Sequence, residues 1–92
     1  MTTFAQLVGL LREAVAQPAM LPTVVLKFQD SVWHSEISFP SRKAEDAARD
    51  LAHDLDYYES DPKLRAEDSS YFGEERAVAE IRSALSLMGI NK

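Results

Sequence analysis

Between Thr23 and Phe39 the apolar residues alternate with polar ones, whereas on both sides of this segment they recur every three or four positions. A change of period from 3.6 to 2 marks a change from helix to strand, which confines the chain to a mixed fold. Val24, Leu26 and Phe28 share one face of the first alternating run, with Val25, Lys27 and Gln29 on the other. Trp33, Ser35, Ile37 and Phe39 share a face of the second run, opposite His34, Glu36 and Ser38. Asp30-Ser31 forms the turn between them, although the glycine favoured in tight hairpins is missing. Two strands alone are marginal in water, so a helix must cover their apolar face. Trp33 is read as part of that core; the alternative is an interface anchor, since tryptophan is enriched at binding hot spots.

The flanking segments read as helices. Phe4, Leu7, Val8, Leu11 and Val15 form one helical face, Thr3 and Gln6 fit a capping box, and Pro18 stops the helix. Met20 and Leu21 are expected to tuck against the core from the connector. Ser41 is a good N-cap for a helix from residue 42 to about 59, with an apolar stripe of Ala44, Ala47, Ala48, Leu51, Leu55 and Tyr58. Its outer face carries Glu45, Asp46, Asp50, Asp54 and Asp56. Asp61-Pro62 breaks this helix, and residues 60–72 form a polar loop anchored by Leu64, Tyr71 and Phe72. A last helix starts near Gly73, with Glu74 and Glu75 at its positive end and Val78, Ile81, Leu85 and Met88 inward. Gly89 is placed as its C-cap, with Ile90 able to fold back. The expected fold class is therefore α+β: an N-terminal helix, a two-stranded β-hairpin, then two helices joined by an acidic loop, in one small domain over residues 1–92.

Apolar residues are 46% of the 92, and twelve of them are alanine, enough for one compact core but not two. With no cysteine, disulfides, zinc–thiolate sites, iron–sulfur ligation and thiol catalysis are excluded. No apolar run reaches the roughly 18–20 residues of a membrane span, and Arg12 and Glu13 interrupt the first apolar stretch, against a signal peptide. A cytoplasmic location is the expectation. Charge is uneven along the chain. Residues 1–43 carry three acids and four bases, whereas residues 44–80 carry twelve acids and four bases. A field of that sign repels nucleic acid backbones and acidic membranes and attracts basic proteins. The plainer reading is a solvated helical face that keeps the protein soluble.

Little in the chain points to catalysis. Glycines at 9, 73 and 89 cannot supply a phosphate-binding loop. His34 and His53 lie in no nucleophile motif. His34 reads as a surface residue. His53, with Asp50 and Asp46 on the same helix, offers a nitrogen and two carboxylates to a metal, but these are also ordinary residues of a solvent-facing helix. No enzyme activity, cofactor or metal is expected.

Tyr57 and Tyr58 are more informative. Neighbours on a helix point about 100° apart, so both can hardly be buried. Tyr58 follows the core stripe, and Tyr57 should then project among Asp54, Glu59 and Asp61. An exposed tyrosine among carboxylates offers rigid contact area with charge-assisted hydrogen bonds around it. The segment Asp54-Leu55-Asp56-Tyr57-Tyr58-Glu59-Ser60-Asp61-Pro62, the acidic loop after it, and the helix Ala77-Val78-Ala79-Glu80-Ile81-Arg82 resemble the back half of small bacterial immunity proteins. These inhibit colicin-type nucleases and the toxins of contact-dependent growth inhibition. The resemblance spans roughly residues 54–88. It implies an acidic single domain held against a basic nuclease, with no direct contact to nucleic acid or membrane. By position it implies partner-binding roles for Asp54, Asp56, Tyr57, Tyr58, Glu59 and Asp61, and the acidic loop extends the set to Glu67 and Asp68. The colicin-type proteins are all-helical bundles, from which the alternation at 23–39 departs. The function expected is neutralisation of a basic toxin; the alternative is an acidic adaptor or regulatory domain without a toxin partner.

Overall fold

A computed structural model describes residues 2–89. It is a helical bundle, and no strand occurs among the described residues. Helix α1 spans Phe4–Ala16 and opens on the expected capping box: the Gln6 N–H donates to the Thr3 hydroxyl at 3.1 Å, and the Thr3 N–H donates to Gln6 Oε1 at 2.9 Å. It stops before Pro18, which begins a 3₁₀ turn, Pro18–Met20. Of the expected connector anchors, Leu21 is buried and Met20 half-buried against the core.

The hairpin expected over 23–39 is not formed. Residues Leu21–His34 are one helix, α2, with Pro22 in its first turn, where a missing N–H costs nothing. The same residues carry a second period: Leu21, Val24, Val25, Phe28 and Val32 lie three, four or seven apart, and all five are buried. Val24 and Phe28 are inward in either reading. Leu26 and Trp33, assigned to the core by alternation, are instead exposed, and Val25 replaces them inside. Three β-branched valines and a threonine lower the helix propensity of this stretch, but burial against two neighbouring helices outweighs the few tenths of a kcal/mol that each costs. Alternation survives only in the strap after α2. There Ser35, Ile37 and Phe39 are half-buried and Glu36 and Ser38 exposed, in backbone with no partner strand. Phe39 meets Phe4 edge to face, with ring centroids 5.8 Å apart, and so ties the strap to the start of α1.

Helix α3 spans Arg42–Asp54, with the Ser41 hydroxyl accepting the Ala44 N–H at 3.1 Å. It is shorter than expected, because the chain tightens into a 3₁₀ turn, Leu55–Tyr57, and then becomes extended at Tyr58. Asp61 does more than break a helix: it caps a one-turn helix, α4 (Pro62–Arg65), accepting the Lys63 N–H at 2.9 Å. Of the three expected loop anchors only Phe72 is buried; Leu64 and Tyr71 are exposed. Helix α5 (Glu74–Leu87) starts after Gly73 as expected, and Gly89 adopts φ 84°, the left-handed conformation that glycine permits. The suggested return of Ile90 lies outside the described residues.

Neighbouring helices run antiparallel. Thr2, before α1, lies beside Ser31 near the end of α2, with 3.3 Å between their hydroxyls. His53 of α3 meets Trp33, and Asp56 just beyond it meets Gln29, so α3 ascends as α2 descends. Asp54 and Tyr57 border the same hollow as Glu80 and Arg76 of α5. With α5 also against α1, the four long helices close a ring in up-down-up-down order. The core holds Leu7 and Leu11 of α1, Phe28 of α2, Leu51 of α3 and Ile81 of α5, and the small Ala44, Ala48, Ala77 and Ala84 let α3 and α5 approach closely. Among the described residues no helix is long and apolar enough to cross a membrane.

Candidate functional site

Positions four apart on a helix lie one above the other, so Asp46, Asp50 and Asp54 form a column along the exposed face of α3. Tyr57 continues it at the top. Two nearby cations are already engaged: Arg49, next to Asp50 in sequence, pairs with Glu45 at 3.1 Å, and Arg76 of α5 with Glu80 at 3.8 Å. Among the described residues no ion pair involves Asp46, Asp50 or Asp54. The column therefore presents to solvent negative charge that no ion pair among the described residues neutralises.

The tyrosine pair is divided by the change of backbone between them. Tyr57 closes the 3₁₀ turn and is 50% exposed. It borders a hollow of about 360 Å³ with Asp54, Ser69, Ser70, Arg76 and Glu80. The Arg76 guanidinium lies 5.0 Å from the centre of the Phe72 ring, which holds this cation at the hollow's edge. Tyr58, extended and half-buried, turns to the opposite side, toward Glu59, Arg65 and Glu74. Burial, and next the Glu74 carboxylate, raise its phenol above the ordinary value of 10.0; Arg65 pulls the other way and Glu59 adds to the rise. The acidic loop is pinned where Tyr58 bridges Phe72: the Phe72 N–H donates to the Tyr57 carbonyl and the Glu59 N–H to the Phe72 carbonyl, each at 2.9 Å.

The eight residues expected to bind a partner thus occupy several places. Asp54 and Tyr57 come together at one hollow. Tyr58 and Glu59 border another, near the turn between α1 and α2. Asp56 accepts a hydrogen bond from Gln29 Nε2 at 2.8 Å. Three of the carboxylates also hold the local backbone: Glu59 accepts the Asp61 N–H at 3.1 Å, Asp61 caps α4, and Asp68 accepts the Ser70 N–H at 2.8 Å. Glu67 is exposed on the loop. Tyr57 projects as expected, but of the carboxylates expected around it only Asp54 shares its hollow, with Glu80 of α5 in place of Glu59 and Asp61.

Sequence reasoning missed the seam between α2 and α3. Gln29 Nε2 donates to the Ala52 carbonyl at 3.0 Å as well as to Asp56, and Trp33 meets the His53 ring edge to face at 4.8 Å between centroids. The helical period of Val24, Val25, Phe28 and Val32 was the signal that turns Trp33 outward. His53 therefore meets an indole edge to face, and no group of three or more His, Asp or Glu side chains able to hold a metal occurs among the described residues.

No family model, curated protein or solved structure matches this chain.

Proposed function

We propose that the protein binds and neutralises a basic protein inside the cell, the nuclease domain of a bacterial toxin, in the manner of an immunity protein. The observation that carries this reading is the column Asp46, Asp50 and Asp54, in no ion pair among the described residues and topped by the exposed Tyr57. A rigid helix presenting carboxylates and one phenol can dock a cationic surface without first breaking ion pairs of its own. The all-helical bundle is the architecture that the resemblance to colicin-type immunity proteins implies, and it supports the reading. The chain acts by occupying a partner, so no catalytic residue is assigned.

The test is genetic and kinetic. An immunity protein is encoded directly after its toxin, so the product of the preceding reading frame should arrest growth when expressed alone, and co-expression of this chain should restore it. Restoration with a stoichiometric complex supports the proposal. A non-toxic neighbour, together with a stable complex with some other protein, would favour the adaptor reading.

A further inference from the structure

Helix α2 completes its share of the core with Leu21, Val24, Val25, Phe28 and Val32, which leaves Leu26 70% exposed and Trp33 39% exposed. Seven positions apart, they lie on the same side of the helix, two turns and about 10 Å from one another. Gln29 sits between them with its amide committed to α3, and Trp33 rests against His53. Both apolar groups therefore border the α2–α3 seam. Lys27 and Asp30 face away from it, toward Gln6 and Glu13 of α1. Single exposed apolar residues are ordinary. These two are set together, and aspartates stand along the far side of the seam.

Asp50 precedes His53 by one turn on α3, and Asp56 follows it by three residues; both are exposed. Neither takes part in an ion pair among the described residues. The charge selects the occupant. A second copy would press these aspartates against their own images, and phosphate backbones or anionic lipid would be repelled. An arginine guanidinium can stack on an indole face and fork onto a carboxylate, which lysine does less well. We infer that the seam at Leu26 and Trp33 is a second anchor of the partner interface, taking an arginine-flanked apolar segment of a basic protein. The apolar side chain covers Leu26 and Trp33, and the guanidinium groups reach Asp50 and Asp56. This rests on the reading of the chain as a binder of a basic protein, and it extends the contact across α3 from Tyr57.

Trp33 is the only tryptophan, so its emission reports this seam alone. The probe is a synthetic peptide of alternating arginine and leucine, titrated into the full chain, with serine-for-leucine and lysine-for-arginine versions alongside. The arginine–leucine peptide should shift Trp33 emission to the blue and shield it from acrylamide. Leu26→Ser, at a site too exposed to threaten the fold, should weaken binding by about tenfold or more, as should Trp33→Ala read by calorimetry. Both control peptides should bind more weakly. Binding that leaves Trp33 emission and quenching unchanged, or that tolerates Leu26→Ser, would place the peptide elsewhere on the acidic face and overturn the inference. Shielding of Trp33 that grows with protein concentration alone would make a second copy the occupant and overturn it too. Failure of growth rescue with Trp33 still shielded by the peptide would remove the toxin reading and leave the seam standing.

Discussion

Val25→Ala and Leu26→Ala remove similar amounts of hydrocarbon from adjacent residues, yet the bundle requires opposite outcomes. Val25 is 5% exposed and belongs to the buried face of α2, whereas Leu26 is 70% exposed. Deleting one buried methylene costs about 0.5–1.5 kcal/mol in well-packed cores, so losing both methyls of Val25 should cost roughly 1–3 kcal/mol. In a domain of this size 1 kcal/mol moves the melting temperature by about 4–8 °C, which places Val25→Ala roughly 4–24 °C below the parent. Leu26→Ala gives up little burial and gains a better helix former, so its effect should stay within about 0.5 kcal/mol. Thermal unfolding followed by far-UV circular dichroism measures both. An alternating strand would reverse the order, because Leu26 would share the covered face with Val24 and Phe28. A larger loss at Leu26 than at Val25 would therefore refute the helix over 21–34 and the ring of helices built on it.

Gln29→Ala removes two hydrogen bonds that hold the end of α3, and should cost about 1–2 kcal/mol and speed amide exchange at Tyr57 and Tyr58 more than elsewhere; uniform exchange would show that the 3₁₀ turn stands without Gln29. Tyr58 has a phenol raised in the folded state, so the stability it contributes is complete below about pH 10 and is lost as pH climbs through the higher folded value. Tyr58→Phe should therefore flatten the alkaline decline in melting temperature, and an unchanged decline would place its cause elsewhere. Tyr57→Ala and Asp54→Ala should each weaken partner binding by about 2 kcal/mol, mainly through faster dissociation and without a change in melting. Asp46→Ala, near the other end of the column, should slow association only, and the association rate of the parent should fall steeply with added salt; an association rate insensitive to salt would mean that the acidic column does not face the partner.

What the sequence determined by itself is local. The Thr3–Gln6 box, the Ser41 cap, the stop before Pro18, the start after Gly73 and the left-handed Gly89 each depend on a few neighbouring residues, and each stands where the sequence places it. The acidic face of α3 and the outward Tyr57 follow from helical period alone. Residues 23–39 were different, because two periods run through the same side chains. Val24 and Phe28 fit a strand face and a helix face equally, and only the contacts made by Val25 and Val32 distinguish them. Those contacts come from α1 and α3, which packs α2 as a helix against its lower propensity and turns Trp33 and Leu26 outward. The division of Tyr57 from Tyr58 was likewise decided at a distance: the acidic loop returns through Phe72 to bridge Tyr58, and Gln29 reaches from α2 to the 3₁₀ turn. Caps and periods act within a turn or two of chain, so a sequence displays them. Which of two apolar faces is covered depends on elements far along the chain, and only their packing chooses between them.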